Sequence, residues 1–170
     1  MASPQDYSQT QEQLVWSIVG QLPDPEIPVL TLSDLGVIRS VTIDGDTITI
    51  GIAPTYSGCP ATEFIQESVI AELEQNGFSN IRTQRVLTPP WTTDWISEDG
   101  RRKLANYGIV PPDNAAESKR ALFHQGLQIS CPRCSSEKTI LVSEFGSTPC
   151  KSSYKCGECL EPFEYFKCLQ

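Results

Sequence analysis

Cys131-Pro132-Arg133-Cys134 and Cys156-Gly157-Glu158-Cys159 form the pattern C-x2-C-x21-C-x2-C. No other feature of the 170-residue chain constrains its fold as strongly. Each pair makes a tight turn whose two sulfurs converge, and two such turns complete a tetrahedral thiolate site for one ion, zinc being the usual occupant. The chain holds seven cysteines, six of them between Cys131 and Cys168. An odd number clustered in this way points to a metal site rather than a disulfide framework. The alternative of two redox-active C-x-x-C pairs lacks the strand–helix context such pairs need.

Between the pairs, Thr139 to Phe145 reads as a strand, and Phe163-Glu164-Tyr165-Phe166 reads as another. Turn, strand, turn, strand is the layout of a zinc ribbon, and residues 127–170 are assigned to it. So short a unit buries too little surface to fold comfortably alone, so the metal is its staple. Cys150 and Cys168 are left over, either as buried thiols or as a pair brought together by the ribbon strands.

Charge divides the chain at the same place. Residues 1–126 carry 8 Lys/Arg against 16 Asp/Glu, and residues 127–170 carry 5 against 5, giving the net charge of −8. An acidic body disfavours general nucleic-acid binding, which rests on counterion release by basic surface. No apolar run approaches the ~20 residues that span a membrane. The start Met1-Ala2-Ser3-Pro4-Gln5-Asp6 shows no basic-then-apolar signal. A soluble, cytoplasmic protein without nucleic-acid or membrane partners is expected.

The first 126 residues read as a small α/β (α+β) layer, a three-stranded sheet with packed helices, occupying 1–108 and followed by a linker at 109–126. Residues 1–9 look like a polar lead. Thr10 then caps a helix through Leu14, Val15, Ile18 and Leu22. Prolines 23, 25 and 28 make Asp24-Pro25-Glu26-Ile27-Pro28 a rigid loop bearing two carboxylates, which composition alone reads as a solvated connection. Ser33-Asp34-Leu35-Gly36 turns into a strand from Val37 to Ile43. Asp44-Gly45-Asp46 is a hairpin signal leading to a second strand, Thr47 to Ile52. A helix with Phe64, Ile65, Val69 and Leu73 along one stripe closes at Gly77, and Asn80 to Leu87 is a third, edge-like strand. Trp91 and Trp95 lie beside two prolines and are expected to pack as a lid rather than to meet a partner. Ser97 caps a helix from Glu98 to Tyr107. His124, the single histidine, falls in the linker and receives no role.

Cys59 occupies the sharp turn between the isoleucine strand and the next helix. Pro60 suits the first helical position, because its missing N–H would be unpaired there. Cys59 therefore sits at a helix N-terminus, where free N–H groups favour a thiolate. An inert buried cysteine would use the same position.

These motifs resemble a known family. Asp24-Pro25-Glu26-Ile27-Pro28, Ser33-Asp34-Leu35-Gly36 and Thr55-Tyr56-Ser57-Gly58-Cys59-Pro60-Ala61 resemble the iron–sulfur-assembly-like domain of SufT-type proteins. Pro90-Trp91-Thr92-Thr93-Asp94-Trp95-Ile96, Gly100-Arg101-Arg102-Lys103-Leu104 and Tyr107-Gly108-Ile109 narrow the match. So do Phe145 to Lys151 and Glu161 to Cys168. From about residue 14 onward the chain is similar to the PaaD (PaaJ) family, the D component of bacterial phenylacetyl-CoA epoxidase systems. The resemblance implies an accessory role in aerobic phenylacetate catabolism, helping to mature or insert a metal centre. It makes Cys59 the candidate iron or cluster ligand, with Asp24, Asp34 and Thr55 lining the same pocket, and a structural zinc on Cys131, Cys134, Cys156 and Cys159. The implied partners are the oxygenase or reductase components or iron–sulfur assembly proteins; the sequence leaves the oligomeric state open, a homodimer included. No catalytic residue is expected: the sequence holds no Glu-x-x-His pair and no glycine-rich dinucleotide fingerprint. A non-catalytic structural subunit is the competing reading, and a thiol enzyme would need a base near Cys59 that the sequence does not supply.

Overall fold

The computed structural model describes residues 4–112 and 129–167, with the backbone alone for 4–10. The chain divides into two compact units, Met1–Trp91 and Thr92–Gln170.

In the first unit, β1 (Ile38–Asp44) and β2 (Thr47–Ile52) form an antiparallel hairpin closed by Gly45-Asp46. Gly45 takes φ +56°, the left-handed region that glycine enters without cost. β3 (Ile81–Arg85) pairs parallel to β2 on its other side, so β2 is central and β3 is an edge, in keeping with its low hydrophobicity. Parallel neighbours need a crossover, and α3 (Ala61–Gln75) supplies it. Ile48, Ile50 and Ile52 of β2 are all buried, and α3 adds Ile65, Val69 and Leu73 to the core. Phe64, expected on that stripe, is 58% exposed. The buried line runs through Thr62, Ile65, Val69 and Leu73, and Phe64 is rotated about 100° off it. Helix α3 ends in a Schellman turn: Phe78 N–H donates to the Leu73 carbonyl and Gly77 N–H to that of Glu74, both at 3.0 Å.

The first helix differs from expectation. α1 runs Pro4–Gly20, so the assumed polar lead is helical from Pro4, Thr10 lies inside the helix, and Leu22 lies beyond it. Proline is tolerated in a first turn, and nothing between Pro4 and Gly20 breaks the run. Gly20 ends the helix against Ser33, whose Oγ would lie 2.2 Å from any Cβ at that position. α2 (Leu32–Leu35) is a single helical turn that the sequence suggests only as a bend.

The second unit opens with a 3-10 turn, Thr93–Trp95, and α4 (Glu98–Tyr107). Ser97 Oγ accepts from Gly100 N–H at 2.9 Å, and Gly108 leaves the helix at φ +91°. Strands β4 (Ile109–Val110), β5 (Thr139–Ser143), β6 (Lys151–Cys156) and β7 (Pro162–Phe166) form one sheet in the order β4-β7-β6-β5. Sequence patterning marks β5 and β7 but not β6, whose Lys-Ser-Ser-Tyr-Lys-Cys has no apolar alternation. Tyr154 stacks on Phe163 at 5.8 Å and meets Tyr165 edge-on at 6.3 Å, giving this sheet its small core with Ile129, Cys131 and Cys156. The segment expected as linker begins as strand, since Ile109 and Val110 pair with Glu164 and Tyr165. The division between units falls at Trp91 and Thr92, so α4 groups with the sheet that follows it. His124 and Cys168 lie outside the described residues.

Candidate metal centre and the Cys59 pocket

The two cysteine turns are built alike. Cys131 N–H donates to the Ser136 carbonyl and Cys156 N–H to the Glu161 carbonyl, both at 2.9 Å. The residue after each second cysteine, Ser135 or Leu160, takes a left-handed φ, +59° and +64°. Cys131 and Cys156 are buried and Cys134 and Cys159 exposed. All four sulfurs lie within 4.8 Å of one another, with Cys131–Cys159 at 3.6 Å and Cys134–Cys156 at 3.5 Å. A tetrahedral site with metal–sulfur bonds of about 2.3 Å needs sulfurs about 3.8 Å apart, so the donor set fits one ion.

Its electrostatics agree. The Cys159 N–H, helped by that of Glu158 and by neighbouring thiols, pulls Cys156 down to about 6 despite burial. The Glu161 N–H favours a thiolate on Cys159. Burial and the crowding of Cys134, Cys156 and Cys131 nonetheless push that thiol up to about 12. Four thiolates this close repel one another unless a cation joins them. Among the described residues, these four are the group of three or more cysteine, histidine or carboxylate side chains close enough to share a metal.

Cys59 lies half-buried between Ile52, where β2 ends, and α3. Its N–H donates to the Tyr56 carbonyl at 3.1 Å and its carbonyl accepts from Thr62 N–H at 3.2 Å, which fixes the turn. Pro60 takes the N-cap position with helical dihedrals, so α3 begins at Ala61, one residue later than expected, and Cys59 precedes the cap. Burial pushes the Cys59 thiol above the ordinary range. The Ala61 N–H opposes this, the Glu26 carboxylate adds to it, and hydrogen bonds from Thr55 and Thr62 oppose it again. Of the residues named from sequence, Thr55 is therefore brought to Cys59. Glu26, of the acidic loop expected to disfavour a thiolate on Cys59, does so, and Thr62 is a partner that sequence reasoning does not single out. Thr62 follows Cys59 by three, the helical interval that shares a face. Glu26 is brought in by topology alone.

Asp24 and Asp34 are both buried and both hold backbone. Asp24 Oδ1 accepts from Glu26 N–H at 3.0 Å and Ile27 N–H at 2.8 Å. Around it, Asp24 N–H donates to the Leu30 carbonyl and Leu32 N–H to the Leu22 carbonyl, each at 2.8 Å, with Ile27 and Leu30 buried beneath. The loop expected as a solvated connection is thus folded onto itself. Asp34 Oδ2 accepts from Thr31 N–H and Thr31 Oγ1, both at 2.9 Å, and its own N–H donates back to Thr31 Oγ1 at 3.1 Å. This is a reciprocal capping box on α2.

Two family models match separate parts of the chain. Residues 12–77 match the family described as iron–sulfur cluster assembly protein, and residues 115–167 match the PaaD zinc beta ribbon domain. An Escherichia coli (strain K12) protein, named as the D component of 1,2-phenylacetyl-CoA epoxidase, is 50% identical over 155 residues, covering 91% of this chain and 92% of its own. The chain belongs to the PaaD family. A PaaD-family chain of this kind carries a further likeness in its first part. A Porphyromonas gingivalis (strain ATCC BAA-308 / W83) protein, named Fe-S protein maturation auxiliary factor, is 33% identical over 101 residues, 58% of this chain and 94% of its own. The solved structure of a domain of unknown function, DUF59, from Bacillus anthracis aligns with a TM-score of 0.55 at 24% identity. It covers 59% of this chain and 96% of that one, and it shows the fold alone. Among the described residues no helix is long and apolar enough to cross a membrane.

Proposed function

We propose that this PaaD-family chain is an accessory component of the phenylacetyl-CoA epoxidase system, without catalytic residues of its own. It assists assembly or insertion of an iron or iron–sulfur centre in a client component, in the cytoplasm. The observation that carries this reading is the surrounding of Cys59: the Ala61 N–H and the Thr55 and Thr62 hydroxyls favour a thiolate on one half-buried sulfur just before a helix, and the charge of the Glu26 carboxylate is felt there. Iron is the cargo here. Binding of the cation displaces the thiol's proton to solvent, and Glu26 partly neutralises the cation's charge, while Thr55 and Thr62 orient the sulfur. Asp24 serves by holding the Glu26 backbone and Asp34 by capping the turn that leads into β1.

The four-cysteine site takes zinc, which suits four thiolates with no open position, and its ribbon presents the client-facing surface. The candidate clients are the oxygenase and reductase components, with iron–sulfur assembly proteins as donors. The relative named as an epoxidase component also supports a second reading, a structural subunit that stays in the complex. Purifying the other epoxidase components from cells with and without this chain separates the two. A maturation factor leaves clients that retain their quaternary structure but lack iron when it is absent. Stoichiometric retention of this chain, with unchanged iron in its absence, overturns the proposal.

A further inference from the structure

The two cysteine turns differ in what reaches their sulfurs. In the second, the N–H groups of Glu158 and Cys159 donate to Cys156 Sγ at 3.4 and 3.5 Å, and the Glu161 N–H donates to the Cys159 sulfur. In the first, the Ser135 N–H is turned to the Cys131 carbonyl at 2.9 Å, and Pro132 has no N–H to give. Among the described residues, the Cys131 and Cys134 sulfurs meet the thiols of Cys159 and Cys156, at 3.6 and 3.5 Å, and no N–H. A hydrogen bond draws charge from a thiolate, so a ligand sulfur that accepts none keeps more electron density for an electrophile. Exposure divides the set a second time: Cys131 and Cys156 are buried, while Cys134 and Cys159 reach solvent. Of the four, Cys134 combines exposure with a sulfur that no N–H holds.

We propose that Cys134 is an oxidation site, the ligand of the four-cysteine centre that hydrogen peroxide attacks first. The proposal rests on zinc occupying that centre, as read above, and is independent of Cys59. The Cys134 thiolate attacks one peroxide oxygen, the O–O bond breaks and hydroxide leaves, giving a sulfenic acid. The Cys156 thiolate, whose sulfur is 3.5 Å away, then attacks the sulfenic sulfur and expels a second hydroxide. Proximity selects Cys156 for this step, since the two sulfurs are already in contact. The product is a Cys134–Cys156 disulfide: two thiolates have lost two electrons, and the peroxide has taken them up as two hydroxides. With two of its four donors gone, the site releases its ion, and the β5–β7 sheet loses its staple. A dithiol reverses the change by exchange, returning both thiolates to the site. The surface that the ribbon presents is thereby made conditional on the peroxide level.

The test treats the full-length chain, purified anaerobically with its zinc, with hydrogen peroxide while a chelating dye reads zinc release. Isotope-coded alkylation before and after reduction gives the oxidation of each cysteine by mass spectrometry. Cys134 should be oxidised several-fold faster than the equally solvent-facing Cys159, zinc should leave in step with it, and a dithiol with added zinc should reverse both. Cys134→His keeps a fourth donor that peroxide does not oxidise in this way, and should slow zinc release at least several-fold, whereas Cys159→His should leave it fast. Oxidation of Cys159 as fast as Cys134 in the unaltered chain, or unslowed release from zinc-loaded Cys134→His, overturns the proposal. A chain purified without zinc overturns the zinc assignment itself, and the proposal with it.

Discussion

The indole N–H of Trp91 donates to the carbonyl oxygen of Leu35 at 2.8 Å, with both residues almost wholly buried. The contact joins the end of the first unit to α2, the turn that Asp34 caps. Trp91→Phe keeps most of the apolar contact but leaves a buried carbonyl unpaired. The expected loss is about 1–3 kcal/mol of stability, read from a urea titration. An unchanged midpoint would mean that the carbonyl finds another donor.

Cys59 should titrate late. Its thiol is raised mainly by burial, so it is neutral at pH 7 and its alkylation should keep accelerating above pH 9, where an ordinary cysteine levels off. The stability sign follows: the folded state holds the proton more tightly than the unfolded state. This contribution is therefore complete below the unfolded pKa and is lost as pH rises through the folded one. Glu26→Gln removes a repelling carboxylate and should speed alkylation of the Cys59 peptide at pH 8. Thr62→Val removes a supporting hydrogen bond and should slow it. Mass-spectrometric rates for that peptide in metal-free protein check both signs, and shifts in the same direction would refute the assigned contacts.

Asp24 and Asp34 should behave as backbone anchors. Asp24→Asn keeps a carbonyl oxygen for the Glu26 and Ile27 N–H groups and should cost little. Asp24→Ala strands both and should cost about 1–3 kcal/mol. Asp34→Ala breaks the capping box, at about 0.5–2 kcal/mol. Equal losses in Asp24→Asn and Asp24→Ala would show that the charge, not the hydrogen bonding, is what the fold needs.

Removing the metal should unfold one unit only. Cys156→Ser, or chelation of the native chain, should release one zinc per chain and make the β5–β7 sheet protease-sensitive, while the β1–β3 unit keeps its cooperative transition. A sheet that stays cooperative without zinc would remove the staple from the account.

Much of this is legible in the sequence because it is local. The paired C-x-x-C turns, the Asp44–Asp46 hairpin, the Ser97 cap and the Gly77 helix stop each depend on a few adjacent residues with strong conformational preferences. The elements that sequence patterning misses depend on distant partners. β6 is polar because it lies between β5 and β7 and gains its order from their hydrogen bonds, with Lys151 buried against Glu164 at 3.4 Å. Phe64 reads as core because apolar content marks a helix face only to within a residue. Glu26 acts on Cys59 across more than thirty residues of chain, an effect expected from the family resemblance and from no spacing. The roles of Asp24 and Asp34 need the hydrogen bonds themselves, since a carboxylate beside a proline reads equally as ligand, turn or solvated charge.

The proposed iron handling by Cys59 is tested most directly by Cys59→Ser in a strain lacking this component. The variant should fold, keep its ribbon zinc and yet fail to restore growth on phenylacetate as sole carbon source. Full growth, at the rate given by the unaltered chain, would contradict the account and leave the structural-subunit reading in its place.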